Sequence, residues 1–205
     1  MKQNLDLENW PRRDHFKFFS QFEEPFFGVC MEVDCSNAYE NAKLNGQSFF
    51  LKYLHSSLVA ANHLEPFKYR ISDDEVWIYD QVNASPTINR PDGTFGFAYM
   101  DYFADFAEFN AAAQVEIERV QNSIGLVPAG SGQNVIHYSS VPWINFTAIS
   151  HARSFSFKDS CPKISFGKLS ETKQMPVSIH VHHALMDGFH VGQFVEAFQE
   201  ILNTE

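Results

Sequence analysis

The stretch Val177-Ser178-Ile179-His180-Val181-His182-His183-Ala184-Leu185-Met186-Asp187-Gly188 decides the fold. Its first half alternates, with apolar residues at positions 177, 179 and 181, which is the period of a half-buried strand. His183 follows in phase with the apolar positions, so the strand is predicted to deliver this imidazole to a buried face. Asp187-Gly188 then breaks the strand, as residues that favour turns do.

An amphipathic helix is predicted after this turn. Its apolar stripe comprises Val191, Phe194, Val195, Phe198 and Leu202. A histidine placed between such a strand and such a helix has two interpretations. It can be a core residue that is satisfied by hydrogen bonds, since buried polar groups are usually paired. It can also be a general base, because burial disfavours the charged imidazolium and a neutral imidazole can accept a proton.

Composition limits the class of protein. The 205 residues suit one domain, 1–205, and the 21 Phe and 44% hydrophobic residues argue against disorder. The formal net charge of −10 argues against nucleic acid and anionic membrane as partners. Three cysteines without a C-x-x-C pair argue against a disulfide framework and a metal site. No leader segment or membrane-spanning run is visible, so a cytoplasmic location is expected.

Helices and strands alternate irregularly along the chain. Apolar patterns and end signals predict helices at 36–44, 48–62 and 105–124, strands at 29–33, 95–100, 135–140 and 164–166, and a hairpin at 67–79. The helix at 36–44 has Ser36 as its expected N-cap and Gly46 beyond its end. Pro86 and Pro91-Asp92-Gly93 are assigned to a loop, as is the small-residue segment 128–132. Val115 is assigned to the buried side of its helix. This mixture predicts one α/β sandwich-like domain with a mixed β-sheet flanked by helices.

The segment 182–191, His-His-Ala-Leu-Met-Asp-Gly-Phe-His-Val, resembles the histidine motif of the chloramphenicol acetyltransferase family. The shorter His-x-x-x-Asp-Gly core is shared by many coenzyme A-dependent acyltransferases, whereas the ten-residue run is more specific. Further blocks follow the family's order and spacing from Trp10 to Leu202. The resemblance implies the single-domain coenzyme A-dependent acyltransferase fold and a homotrimer with active sites between subunits.

The resemblance assigns His183 as the base that activates an acceptor hydroxyl for direct attack on the thioester of acetyl-coenzyme A. The segment 137–143 resembles the family stretch with an active-site serine four residues before its Trp, which is Ser139 here. That hydroxyl would donate to the developing oxyanion. From the residues alone, a locally satisfied serine is the simpler interpretation. A Ser-His-Asp hydrolase is the rival, but the sequence has no G-x-S-x-G elbow.

The run Trp10-Pro11-Arg12-Arg13-Asp14-His15-Phe16 is similar to the N-terminal block of the family. In that block the arginine pairs with the aspartate of the histidine motif, so Arg12 is expected to pair with Asp187. This implies that Asp187 supports the loop that bears His183. From the residues alone, Asp187 could instead orient His183, as the acid of a catalytic triad does.

The resemblance also implies an acceptor pocket and a cofactor contact. The expected acceptor-pocket residues are Phe18, Phe19, Phe27, Phe95, Ile149, His151 and Ser165. Phe19 stands where some members have a tyrosine, and Ile149 and His151 stand where those members have Phe and Leu. Lys168 is expected near the phosphates of coenzyme A, followed by Leu169 where better-known members have an aromatic residue beside the adenine.

Chloramphenicol is the acceptor that the resemblance favours, and its acetylation would inactivate the antibiotic. The altered pocket positions keep a different hydroxylated acceptor open. A catalytically idle trimeric binding protein is the alternative outside the enzymes, although the presence of both His183 and Ser139 argues against it. No metal ion is expected in the site.

Overall fold

A computed structural model describes residues 1–126 and 132–204. It contains two β-sheets. The large sheet has the strand order β2 (Phe26–Asp34), β9 (Gln174–His182), β8 (Lys163–Phe166), β7 (Val135–Ser140), β5 (Asn83–Asn89) and β6 (Phe95–Phe97). The small sheet has the order β1 (Lys2–Asn4), β4 (Glu75–Tyr79) and β3 (Tyr69–Ser72). Strand β7 runs parallel to β5 and β8, and the other pairs are antiparallel, so the large sheet is mixed as predicted.

Five α-helices accompany the sheets. They are α1 (Arg13–Phe19), α2 (Ser36–Leu44), α3 (Phe49–His63), α4 (Phe106–Gln121) and α5 (Gly188–Thr204). Ser48 caps α3, since its side chain accepts a hydrogen bond from the Leu51 N–H. In the part of the chain that the structure describes, no helix has both the length and the apolar character needed to cross a bilayer.

The helices α3 and α5 pack against one face of the large sheet. Val177, Ile179 and Val181 of β9 are fully buried on this face. They share the main core with residues of both helices, among them Leu54, Leu58, Phe194 and Phe198. Because successive residues of a strand point to opposite faces, Ser178, His180 and His182 lie on the other side of the sheet.

Several local predictions were wrong. Pro86 lies within β5 and not in a loop, because its carbonyl accepts the Ala98 N–H on the side of the antiparallel neighbour β6, and this bond needs no N–H from the proline. Val115 is 70% exposed on α4, because its side chain falls outside the stripe that Phe109 and Val120 bury. Of the predicted loop at 128–132, residues 128–131 lie outside the described part of the chain.

Candidate active site

His183 lies immediately after β9, at the start of the turn that leads into α5. Its backbone N–H donates to the carbonyl of Pro25, 2.8 Å away, so the residue that precedes strand β2 fixes its position. The strand ends at His182, one residue earlier than predicted. The side chain of His183 is half-buried, and its Nδ1 lies 3.3 Å from the carbonyl oxygen of Met186. A proton on Nδ1 would be held by that carbonyl, which leaves Nε2 available as an acceptor.

Aromatic rings surround the imidazole. The ring of Phe19 stacks on His183 with a centroid distance of 3.9 Å, and the ring of Phe27 lies 4.6 Å away at a tilt. Phe18 packs edge-on against Phe19 at 5.1 Å, while its own side chain is 59% exposed. The structure therefore brings three of the expected pocket residues together with His183, and it leaves their outer side open.

Arg12 connects the first helix to the turn behind His183. Its Nη1 forms an ion pair with Asp187, and its Nη2 donates to the carbonyl of His183 over 3.2 Å. Partial burial alone would raise the pKa of Asp187, but the hydrogen bond and charge of Arg12 outweigh burial and hold that pKa below its usual range.

The second carboxylate oxygen of Asp187 lies 2.9 Å from Nδ1 of His190. Asp187 is thus bonded to Arg12 and His190, while Nδ1 of His183 faces the carbonyl of Met186. This geometry favours a supporting role for Asp187 over the orienting role of a triad acid.

Ser139 lies near the carboxyl end of β7. In the register of the large sheet it stands beside Ser165 of β8, which stands beside Ser178 of β9. Residues side by side on neighbouring strands share one face of a sheet. We call these three residues the serine rung, and the sheet face on which they lie the polar face. Ser165 and Ser178 are fully buried.

A single chain does not bring Ser139 and His183 together. Ser178, the member of the serine rung on β9, is two strands away from Ser139 and five residues before His183. At about 4.8 Å per strand and 3.3 Å per residue, the two catalytic candidates are roughly 20 Å apart. A site that uses both residues therefore needs a second copy of the chain.

The other expected pocket residues lie on or beside the polar face. His151 contacts the ring of His180 at a centroid distance of 4.7 Å, and Ile149 lies two residues before it in the segment between β7 and β8. Phe95 lies on β6, where it is 42% exposed and packs on Phe97 at 5.6 Å. Phe97 pairs with Thr87, whose strand neighbours that of Ser139, so both rings border this face at the sheet edge.

A cleft of about 600 Å³ opens on the helix side of the sheet, beside the ends of β7 and β8. Lys168 is exposed at this cleft, and Ser140 lines it next to Ser139 in the chain. Most of the remaining lining is apolar or aromatic, and it includes Tyr39, Phe49, Phe50, Tyr53, Ile117, Leu169 and Met175.

The chloramphenicol acetyltransferase family matches residues 2–199 of this sequence. The chain belongs to this family. It is 27% identical to chloramphenicol acetyltransferase 3 of Escherichia coli over 207 residues, which cover 98% of this chain and 97% of that protein. A solved chloramphenicol acetyltransferase superposes with a TM-score of 0.86 at 31% identity, covering 98% of this chain and 100% of the other.

The fold extends beyond the chloramphenicol acetyltransferase family. A probable dihydrolipoamide acetyltransferase from Listeria monocytogenes has a TM-score of 0.68 at 12% identity, and the match covers 93% of this chain and 89% of that one. At this identity the likeness concerns the fold alone. The predicted acyltransferase fold and the family resemblance are confirmed, and the protein is an acetyltransferase-family enzyme.

Sequence reasoning missed the aromatic residues of this family member's cleft. Tyr39, Phe49 and Tyr53 form a chain of edge-on contacts from α2 to α3, with centroid distances of 5.2 and 5.1 Å. In the sequence they read as ordinary helix residues that pack in a core. The sequence signal for these cleft residues was that α3 carries more aromatic residues than one apolar stripe needs.

One group of potential metal ligands lies on the polar face. Within the described residues, donor atoms of His137, Asp159 and Cys161 lie within 4.8 Å of one another. The ammonium of Lys163 forms an ion pair with Asp159 and donates to the Cys161 carbonyl over 3.2 Å. A positive charge bonded to the carboxylate disfavours a cation at this point. The expectation of a metal-free site stays a prediction.

Proposed function

We propose that this protein is a homotrimeric O-acetyltransferase that moves the acetyl group of acetyl-coenzyme A to a hydroxyl of a small molecule. The observation that carries the proposal is the placement of His183, whose Nδ1 faces a carbonyl while its ring is enclosed by aromatic side chains. Family membership makes chloramphenicol the first acceptor to test. Its acetylation in the cytoplasm would inactivate the antibiotic.

The chemistry follows from this imidazole. Nε2 of His183 takes the proton of the acceptor hydroxyl as its oxygen attacks the thioester carbonyl carbon. The carbonyl becomes an oxyanion, and the hydroxyl of Ser139 donates a hydrogen bond to it. When this intermediate collapses, the C–S bond breaks, and the imidazolium returns the proton to the sulfur of coenzyme A. No acyl-enzyme is needed.

The separation of Ser139 from His183 supports a site built from two subunits. In a closed ring of three chains, the His183 side of one chain would face the serine rung of the next, and each ring would hold three equivalent sites. Phe19 and Phe27 would then enclose the acceptor from the His183 side, while Ser165 and His151 would approach it from the other subunit.

The cleft on the helix side is the proposed site for acetyl-coenzyme A. Its apolar lining suits the pantetheine arm, and exposed Lys168 suits the cofactor's phosphates. Tyr39 and Phe49 offer aromatic faces for the adenine, in place of the aromatic residue that Leu169 replaces. Ser140 lines this cleft, whereas Ser139 lies on the opposite face of the sheet, so the thioester would have to pass the end of β7 to reach the oxyanion donor.

Release of free thiol from acetyl-coenzyme A, with chloramphenicol as acceptor, tests the proposal. His183→Ala should lose at least ~10²–10⁴-fold in turnover, because the general base is removed. His63→Ala is the matched control, since His63 is exposed at the end of α3, away from the site, and turnover should not change. Near-normal turnover of folded His183→Ala would refute the base assignment. Binding of acetyl-coenzyme A that is not followed by thiol release with any acceptor would support an idle binding protein.

Co-expression of two inactive variants tests the shared site. His183→Ala and Ser139→Ala chains, mixed randomly in equal amounts, should restore about a quarter of the sites, because each site takes one residue from each of two chains. If trimers that contain both variants recover no activity, both residues of a site come from the same chain. Size-exclusion chromatography with light scattering measures the oligomeric state directly.

A further inference from the structure

Strand β7 loses its pairing with one neighbour just before Ser139. The register of β5 with β7 ends at Pro86 and Tyr138, and β5 pairs with β6 from Thr87 onward. On its other side β7 stays paired with β8 as far as Ser140. A strand end that is hydrogen-bonded on one side opens more easily than the middle of a sheet. The oxyanion donor therefore lies on a part of β7 that the sheet alone does not hold firmly.

The cleft on the helix side opens where β5 and β7 separate. Thr87 and Asn89 of β5 line this cleft, as does Ser140 of β7. Because successive residues of a strand point to opposite faces, Ser139 lies on the polar face while Ser140 faces the cleft. A contact that holds Ser140 in the cleft therefore acts on Ser139 through one peptide unit.

Helix α3 bonds to β7 through side chains on each side of Ser139. The hydroxyl of Tyr53 lies 3.1 Å from Oγ of Ser140, and the hydroxyl of Ser57 lies 3.2 Å from that of Tyr138. Tyr53 and Ser57 are one helical turn apart, so both reach the same strand. These bonds tie the residues before and after Ser139 to a helix that is packed in the main core.

The phenol of Tyr53 is held in place for this bond. Tyr53 is 7% exposed, and its ring contacts Phe49, Phe50 and Phe166 at centroid distances of 5.1, 5.7 and 4.7 Å. Burial raises the pKa of Tyr53 to about 12, so the phenol keeps its proton at physiological pH. A hydrogen bond shielded from water is stronger than one in bulk solvent, so it restrains the orientation of Ser140.

We propose that Tyr53 is a positioning residue for the oxyanion donor, because it holds Ser140 and thereby sets the orientation of the adjacent Ser139. The inference rests on the proposed acetyl transfer and adds a residue to its machinery. A displacement of about 1 Å in a catalytic group can lower the rate by ~10²-fold.

A direct contact between the Tyr53 hydroxyl and the cofactor is the competing role, since Tyr53 and Ser140 both line the proposed cofactor cleft. The two roles differ in kinetics. A residue that positions Ser139 acts on the transition state and changes kcat, whereas a residue that binds the cofactor changes the KM for acetyl-coenzyme A.

The kinetics of Tyr53→Phe in the thiol-release assay, with chloramphenicol as acceptor, test the inference. The variant keeps the ring and loses the hydroxyl, so kcat should fall by ~10-fold while the KM for acetyl-coenzyme A stays within ~2-fold. Ser140→Ala should show the same loss, and Ser140→Thr, which keeps a hydroxyl, should restore most of it. In a Ser139→Ala background, Tyr53→Phe should lower kcat no further, because it acts through the hydroxyl that is already absent.

Tyr99→Phe is the matched control. The Tyr99 hydroxyl accepts a hydrogen bond from Nδ2 of Asn83 over 2.6 Å, and Asn83 stands beside Val135 where β7 begins. This bond lies four residues before Ser139 along the strand, roughly 13 Å away. Tyr99→Phe should lower the urea midpoint of unfolding as Tyr53→Phe does, but it should leave kcat unchanged.

The inference is overturned if Tyr53→Phe keeps the wild-type kcat. A raised KM for acetyl-coenzyme A at unchanged kcat would make the Tyr53 hydroxyl a cofactor contact instead. An equal loss of kcat with and without the Ser139 hydroxyl would show that Tyr53 does not act through Ser139, and an equal loss in Tyr99→Phe would assign the effect to general stability. These results in an active wild type overturn this inference alone. A folded wild type that releases no thiol with any acceptor overturns the proposed function as well.

Discussion

The ion pair between Arg12 and Asp187 should hold the turn behind His183 in place. The side chains are 13% and 34% exposed, so the pair is neither fully buried nor a surface contact. Removal of one partner lowers the free energy of unfolding by ~3–5 kcal/mol for a fully buried pair and by ~0–1 kcal/mol for an exposed pair. For this geometry we expect Asp187→Ala to lower the free energy of unfolding by about 2 kcal/mol, after discounting for the exposed third of the carboxylate.

Arg12→Ala should cost about 1 kcal/mol more than Asp187→Ala, because it also removes the hydrogen bond to the His183 carbonyl. The double variant should cost less than the sum of the singles, by ~1–2 kcal/mol, since no charge is then left without its partner. Turnover should fall in each single variant, because the loop that carries His183 loses an anchor. Urea unfolding and the thiol-release assay measure the two effects.

The neighbouring Arg13 is the matched control. Its guanidinium lies 2.9 Å from Glu8, but the two side chains are 39% and 72% exposed. Arg13→Ala should therefore cost less than ~1 kcal/mol and leave turnover unchanged. If the Arg12 and Asp187 effects add within ~0.5 kcal/mol, the two residues do not act as a unit, and the supporting role of Asp187 is refuted.

Three further predictions concern the site. Ser139→Ala should lower kcat by ~10²-fold with little change in either KM, because the contact forms mainly in the transition state; a change in KM alone would make Ser139 a binding residue. Lys168→Ala should raise the KM for acetyl-coenzyme A by ~10-fold and leave kcat unaltered, and an unchanged KM would contradict the cleft assignment. The pKa of Asp187 is lowered by folding, so its stabilising effect is complete above the ordinary value of 3.8 and is lost as the pH falls through the lower folded value. The stability difference between wild type and Asp187→Asn should therefore shrink only below about pH 4, and a difference that shrinks at neutral pH would contradict this pairing.

Part of the secondary structure could be predicted from the sequence. Strand β7 and helix α2 have the predicted bounds, and the alternating apolar residues of β9 are buried on one face as expected. Strand β1 has the sequence Lys-Gln-Asn and no apolar residue, so only its pairing with β4 makes it a strand. Pro86 favoured a loop, because proline has no backbone N–H to donate to a neighbouring strand. The sequence does not show that this residue pairs through its carbonyl instead.

The site residues likewise include some that could be predicted from the sequence and some that could not. Ser178 and His180 alternate with the apolar residues of β9 in the sequence, which predicts that one side of this strand is polar. Its neighbours Lys163 and His137 come from strands whose register is a tertiary property, so the row formed by His137, Lys163 and His180 could not be predicted from any single segment. Arg12 and Asp187 are 175 positions apart, and only the family resemblance linked them.

Strand β9 is hydrogen-bonded to β2 along its whole length and to β8 on its other side. Its amide protons should therefore be among the slowest in the protein to exchange with deuterated solvent, since they are released only when the sheet opens. Helix α1, by contrast, packs through Phe16 in a smaller cluster with the small sheet and Leu185. That unit should open at a lower free energy and exchange faster. Substrate entry past the Phe19 ring would then depend on motion of α1, while the backbone before His183 stays still.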